Sequence, residues 1–301
     1  MLIKTFALSK TTDAYMTTYL LDDGEYGRKG LKRPAVVICP GGGYTMVSKD
    51  EGEPVACFFN RHGYHAFVIH YSVKINHPFP TALQELATAM GIVRAHREEW
   101  HIANEISVAG FSAGGNLALS LGIFENEPYI TSELGLEMEI VRPDRLILGY
   151  PAVTLHPKRE DTEMPEEMIR LIEKGLMPDF RGPNIRSILL GKEDATPEEL
   201  EELNLLNKLH KNLPPVFVWG SYEDMVIPST DYILLAEHLY QLDVPCELHL
   251  FGHGPHGVSL CDESVKNRNE IENLSMNYWT KLCLEWLKQR RRLEKKCDIK
   301  Q

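Results

Sequence analysis

The chain has 301 residues, 43% of them hydrophobic and 25% charged, which are the proportions of an ordinary globular enzyme with enough apolar surface for a large buried core. Acidic residues outnumber basic ones by 43 to 32, for a formal net charge of -11, and the one basic stripe is the last dozen residues. That balance argues against nucleic acid as a partner, because nothing here displaces counterions from a phosphate backbone. The N-terminal stretch MLIKTFALSKTTDAYM lacks an apolar signal segment, and no run reaches the roughly 18 apolar residues that span a membrane, so no membrane association and a cytosolic location are expected. The cysteines at 39, 57, 246, 261, 283 and 297 form no C-x-x-C pair and read as free thiols in a reducing compartment.

In chain order, residues 16–21 have strand character and precede the turn-rich Asp22-Asp23-Gly24 and Gly27, so a leading antiparallel hairpin is expected. Residues 34–39 are a β-branched run of the kind buried on both faces of a parallel sheet. The run ends in Pro40-Gly41-Gly42-Gly43-Tyr44, where three glycines cost chain entropy and imply backbone amides that approach a ligand closely. A helix over 51–62, with Pro54 in its first turn and Gly63 after it, leads to a strand over 64–71. Leu83, Leu86, Met90 and Val93 mark a helix over 81–100 that crosses back to a strand at 106–109. A helix over 116–124 and a strand over 145–150 follow.

Between 151 and 214 the rhythm breaks. The stretch is rich in acids and carries only short amphipathic helical pieces, so a helical cap over the carboxyl edge of the sheet is expected, its charge run being a solvated helix face. Residues 215–220 and 246–251 then read as strands, 229–242 and 271–287 as helices, and the basic tail 290–300 as a frayed end. Strands alternating with helices at this spacing predict a mostly parallel, doubly wound α/β sheet in one domain over residues 1–301, with the cap at about 151–214.

The turn Gly110-Phe111-Ser112-Ala113-Gly114-Gly115 lies between an apolar strand and a helix, the setting in which a G-x-S-x-G pattern carries chemistry. A strand reversing directly into a helix needs a tight turn. Glycines at 110 and 114 remove the side chains that would collide, and the serine is left at the tip. Ser112 reads as a nucleophile whose developing charge faces the amides of the following helix. A serine hydroxyl needs a base within hydrogen-bond reach and a carboxylate to orient that base. Two loops at the carboxyl ends of later strands offer these groups: Gly220 to Pro228, with Glu223 and Asp224, and Gly252 to Gly257, with His253 and His256.

These segments together resemble the α/β-hydrolase fold, and within it the small-ester hydrolases related to hormone-sensitive-lipase-like esterases and bacterial acetyl-xylan esterases. The resemblance covers roughly residues 34 to 290 and is most specific at residues 40–44, 110–115, 224–228 and around His256-Gly257. It implies Asp224 as the acid, from the family pattern Asp-x-Val-x-Pro, with Glu223 a solvent-facing neighbour. It also implies His256 as the base. Ala113 N–H, next to the nucleophile, and the glycine loop are the expected oxyanion donors. Related enzymes usually have His-Gly-Gly-Gly where this chain has Pro40, so the amides of Gly42 and Gly43 are retained and no role passes to the missing histidine.

The reading is a serine carboxylesterase that needs no metal or organic cofactor and takes a small-molecule ester as its partner. Short acyl groups and O-acetylated sugars come from the resemblance alone. Two rivals remain: a prolyl-oligopeptidase-type peptidase, for whose usual propeller domain there is no room, and a non-catalytic ligand-binding protein on the same fold. A homodimer is compatible with the sequence, and nothing in it decides the oligomeric state.

Overall fold

The structure, a computed structural model, describes residues 1–22, 30–155, 166–174, 185–265 and 275–298. Among these residues the strands are β1 (Thr5–Ala7), β2 (Tyr15–Tyr19), β3 (Arg33–Cys39), β4 (His65–His70), β5 (Ile102–Phe111), β6 (Arg145–Gly149), β7 (Val216–Ser221) and β8 (Cys246–Phe251). They form one eight-stranded sheet in the order β1-β2-β4-β3-β5-β6-β7-β8. The two pairings that involve β2 are antiparallel, and every pairing from β4 through β3 to β8 is parallel.

The leading hairpin forms with a partner that precedes β2: Thr5 pairs with Thr17 and Ala7 with Tyr15. The turn residues sought after it, from Asp23 through Gly27, lie outside the described residues. Helix α1 (Glu53–Arg61) starts two residues later than the sequence indicates, and α2 (Thr81–Ala95) stops five residues earlier. Helix α3 (Ala113–Phe124) follows Ser112 directly. Two short helices, α4 (Pro128–Leu134) and α5 (Met138–Val141), then pack against α2 and were not legible in the sequence. Within 151–214 the described residues hold α6 (Glu166–Glu173), α7 (Ile185–Leu190), α8 (Pro197–Glu202) and a 3-10 turn over Leu205–Lys208. α9 (Thr230–Gln241) joins β7 to β8. The basic tail, expected to fray, continues the last helix, Tyr278–Asp298.

Side-chain alternation along β5 shows how the sheet is covered. Gly110 faces α3, since a Cβ there would meet that of Ala118 at 2.8 Å, whereas the next residue, Phe111, meets Trp279 of the last helix edge to face at 5.9 Å. Successive residues of a strand point to opposite faces, so α3 and the last helix lie on opposite sides of the sheet. Trp279 also stacks on Trp219 of β7 with ring centroids 4.8 Å apart, a pair of the type worth about 0.5–1.5 kcal/mol beyond its buried area. Burial on both sides accounts for the β-branched composition of β3, whose Ala35 to Cys39 are fully buried. No described helix is long and apolar enough to cross a membrane. Among the described residues, Cys39, Cys57, Cys246, Cys261 and Cys283 are free thiols, and no cluster fit to hold a metal ion occurs.

Candidate active site

The site is built where β3, β5, β6, β7 and β8 end. β5 stops at Phe111, and α3 begins one residue after Ser112, so Ser112 alone makes the reversal. Its backbone stands at φ 52, ψ -118, a conformation that costs a non-glycine residue of the order of 1–3 kcal/mol and has to be held by its surroundings. The hold is visible. Ser112 N–H donates to Gly149 O at 2.9 Å, and its carbonyl accepts from Asn116 N–H at 3.0 Å and Ala152 N–H at 3.2 Å. A Cβ on Gly110 would fall 2.1 Å from Gly114 O, and one on Gly114 would fall 2.0 Å from Cys39 O. Any side chain at either glycine would force strand, turn and helix apart.

His256, on the loop after β8, reaches both of its partners. Its Nε2 lies 2.8 Å from Ser112 Oγ and its Nδ1 lies 2.7 Å from Asp224 Oδ2. The side chains of His256 and Asp224 are 6% and 1% exposed. Asp224 is fixed from several directions: Oδ1 accepts from the amides of Val226 at 2.9 Å and Ile227 at 2.8 Å, and Oδ2 also accepts from Tyr232 Oη at 2.8 Å. These amide bonds close a local turn two and three residues ahead, while Ser229 precedes α9.

Burial by itself would raise the Asp224 carboxyl, but the charge and hydrogen bond of His256, with the Ile227 and Tyr232 donors, hold it below the ordinary carboxylate range. Burial by itself would lower His256, and the charge and hydrogen bond of Asp224, with a further contribution from Glu51, reverse this and leave the imidazole raised. An ionised Asp224 can only accept, which assigns the proton on neutral His256 to Nδ1 and leaves Nε2 free to accept from the serine hydroxyl.

The other two candidates from the sequence behave differently. Glu223 and His253 find each other, with Oε1 2.9 Å from Nδ1, but their side chains are 53% and 81% exposed.

The glycine loop lies against the serine. A Cβ on Gly41 would stand 2.7 Å from Phe111 O and 2.9 Å from Ser112 Cβ, so only glycine allows the approach. Gly42, at φ 122, folds the loop back so that its carbonyl accepts from the amides of Thr45 and Met46 at 3.0 and 3.2 Å. Tyr71 Oη donates to Pro40 O at 2.7 Å, and Tyr44 Oη donates to Asn116 Oδ1 at 3.0 Å, tying both ends of the loop to the body of the sheet and to α3. Gly41 N–H is taken by Glu51 Oε2 at 2.6 Å. Among the described residues, no protein acceptor takes the amides of Gly42, Gly43 or Ala113.

No motif in the sequence marks Glu51, Tyr150 or Tyr232. The helix expected over 51–62 would include Glu51, whereas the residue precedes α1 and turns inward, 3% exposed.

The sequence profile of the BD-FAE family matches residues 26–239. The chain is 27% identical over 242 residues to an endo-1,4-beta-xylanase B of Butyrivibrio fibrisolvens, a match covering 77% of this chain and 34% of that protein. It is 25% identical over 268 residues to an acetylxylan esterase of Xylanibacter ruminicola, covering 85% of this chain and 48% of that one. It therefore spans about a third to a half of the length of these relatives. Among solved structures it is similar to MGS-M1, an alpha/beta hydrolase enzyme from a Medee basin deep-sea metagenome library, with a TM-score of 0.71 and 28% identity over 96% of this chain and 97% of that one.

Proposed function

The chain belongs to the BD-FAE family and has the α/β-hydrolase fold, and from that premise we propose that it is a serine carboxylesterase acting on short-chain acyl esters, with O-acetylated sugars as the substrate class. One observation carries the proposal: a single buried imidazole bridges Ser112 Oγ and Asp224 Oδ2 at 2.8 and 2.7 Å. Likeness to an acetylxylan esterase supports the choice of acyl group and alcohol.

In this reading Ser112 is the nucleophile, His256 the general base and Asp224 the carboxylate that holds the tautomer. As Ser112 Oγ attacks the ester carbon, its proton passes to His256 Nε2, and the carbonyl electron pair moves onto oxygen. The amides of Gly42, Gly43 and Ala113 are the donors proposed for that oxyanion, a kind of donor worth about 3–4 kcal/mol each where removal has been measured. Collapse of the adduct breaks the bond to the alcohol, which leaves with the proton from His256 and an acyl-serine behind it. Water, deprotonated by the same nitrogen, then releases the acid and restores the serine. Every proton is handled by His256, so no cofactor is required.

Residues 1–301 are proposed as one domain in which 151–214 caps the carboxyl edge of the sheet. The bond from Phe79 N–H to Leu189 O, 2.9 Å, supports this by fastening α7 to the loop before α2. Free thiols among the described cysteines accord with a reducing, cytosolic compartment, which is likewise a proposal.

The test is a panel of acetyl, butyryl and octanoyl esters together with acetylated xylo-oligosaccharides, run on the native protein and on Ser112→Ala. The expected result is the highest kcat/KM on acetyl esters, release of acetate from the oligosaccharides, and background rates for the variant. Ester hydrolysis that survives in Ser112→Ala would sink the mechanism, and a preference for octanoyl esters would sink the substrate class.

A further inference from the structure

Glu51 is buried at the back of this site and takes no part in the proton path. Its two oxygens have separate tasks. Oε2 accepts the Gly41 N–H at 2.6 Å, and Oε1 lies 2.6 Å from Tyr150 Oη. The direction of the second bond follows from the rest of the network. Tyr150 Oη accepts from Ser259 N–H at 2.9 Å, so its own proton points to Glu51, and the carboxylate accepts on both sides. Tyr150 in turn sets its ring edge to face against His256, centroids 4.9 Å apart at 64°. Ser259 stands three residues after His256 on the same loop, where its hydroxyl donates to Asp50 O at 2.6 Å and its carbonyl accepts from Trp279 Nε1 at 2.9 Å.

One carboxylate thus joins three segments distant in sequence: the glycine loop after β3, the end of β6, and the loop that bears the imidazole. We propose that Glu51 is a positioning residue of the acyl-transfer site, holding the oxyanion loop and the general base in register through Gly41 on one side and Tyr150 with Ser259 on the other. The inference rests on the reading of Ser112 as nucleophile and His256 as base. A hydrogen bond to a buried carboxylate is stronger than one between neutral groups, so a loop of three glycines, free to take many conformations, is held in one by a charge-assisted bond at its first amide. Taking Gly41 N–H out of play also leaves the next two amides as the ones available to a ligand.

The Glu51 carboxyl is raised, because burial outweighs the Tyr150 and Gly41 hydrogen bonds and the His256 charge that favour its ionised form. The titratable groups that face it are Tyr150, His256, Asp50 and Tyr71. In its ionised form Glu51 favours the imidazolium that forms during proton transfer.

The conservative test is Glu51→Gln, which keeps the shape and one accepting oxygen but presents N–H groups to a partner that is itself a donor. Steady-state kinetics on an acetyl ester should give a kcat lowered by about 10–100-fold with KM within about threefold, the pattern of an interaction made mainly in the transition state. The acid limb of the kcat profile should move to lower pH, because the imidazolium loses a stabilising charge. A folded variant with native kcat, or with a lowered kcat but an unmoved acid limb, would overturn the inference, since the second pattern is that of a general packing defect. If circular dichroism finds Glu51→Gln unfolded, Tyr150→Phe replaces it: the ring and the carboxylate stay, and the link to Ser259 is lost. A kcat lowered about 3–30-fold at unchanged KM is then expected, and native kinetics would overturn the inference. Ser112→Ala, run alongside, separates the two levels. Hydrolysis persisting in it removes the esterase reading and the inference together, whereas background rates there with native kinetics in the Glu51 and Tyr150 variants remove the inference alone.

Discussion

Two acid–imidazole pairs sit side by side in this molecule, made from neighbouring residues of the same two loops, and their difference is instructive. Asp224–His256 and Glu223–His253 have nearly equal separations, 2.7 and 2.9 Å. Distance therefore does not distinguish them. Surroundings do: the first pair is almost sealed from water, whereas more than half of each side chain in the second is exposed. Sealed groups interact at low effective dielectric, so the Asp224 carboxylate can hold its partner's tautomer and charge, while an exposed pair is screened and worth little. The buried carboxylate also has amide and phenol donors that fix its orientation, and the imidazole has a serine at its far nitrogen. All four residues lie on the loops beyond β7 and β8, where the backbone turns Asp224 and His256 inward and leaves Glu223 and His253 at the surface.

The largest expected effect breaks the buried unit outright. Ser112→Ala or His256→Ala should lower kcat for an acetyl ester by about 10⁴–10⁶-fold, since members of such a unit fail together, and the double variant should be scarcely worse than either single one. Next comes the direct contrast between the pairs. Asp224→Asn should lower kcat by about 10³–10⁴-fold with the melting curve little changed, while Glu223→Gln and His253→Ala should stay within about twofold in the same assay. The opposite ranking would exchange the roles of the two pairs.

A pH profile sharpens the comparison further. On the proposed mechanism only neutral His256 accepts the serine proton, so activity is expected to be lost as pH falls through its folded pKa. That pKa is raised, so the acid limb of kcat/KM should lie above the ordinary imidazole value of about 6.5, with a rate falling about tenfold per pH unit below it. A profile flat from neutrality to pH 4 would speak against an imidazole base. The smallest effect expected within the buried pair concerns orientation alone: Tyr232→Phe removes one donor from Asp224 Oδ2 but leaves the Val226 and Ile227 amides, so kcat should drop by about 3–10-fold. No change at all would mean that the two amides suffice.

Much of this was legible in the sequence because the physics is local. The β3 run reads as a two-face-buried strand, and Gly110, Gly114 and Ser112 read as a strained turn, since both depend on near neighbours. Boundaries were less legible. β5 begins at Ile102, four residues before its apolar run, because Asn104 and Glu105 interrupt the pattern; Ile102 still pairs with Arg33, and the register shifts before Ala35 meets Ile106. β1 was missed because three residues, Thr5 to Ala7, are too short to display a period. The short helices α4 and α5 pack on α2, a contact between segments distant in sequence, and each is too short to display a clear period. The place of Glu51 is not legible either, since its partners Gly41 and Tyr150, and the Ser259 amide behind Tyr150, come together only in three dimensions. The central parts of the proposed cap, 156–165 and 175–184, lie outside the described residues.

The most direct test of the central claim, that three distant loops form one proton-moving unit around Ser112, is labelling with a fluorophosphonate probe followed by intact mass and peptide mapping. A single adduct on Ser112 is expected in the native protein, with none in Ser112→Ala, strongly slowed labelling in Asp224→Asn, and native labelling in Glu223→Gln. A native protein that takes up no probe, or an adduct that remains when Ser112 is replaced, would contradict the account.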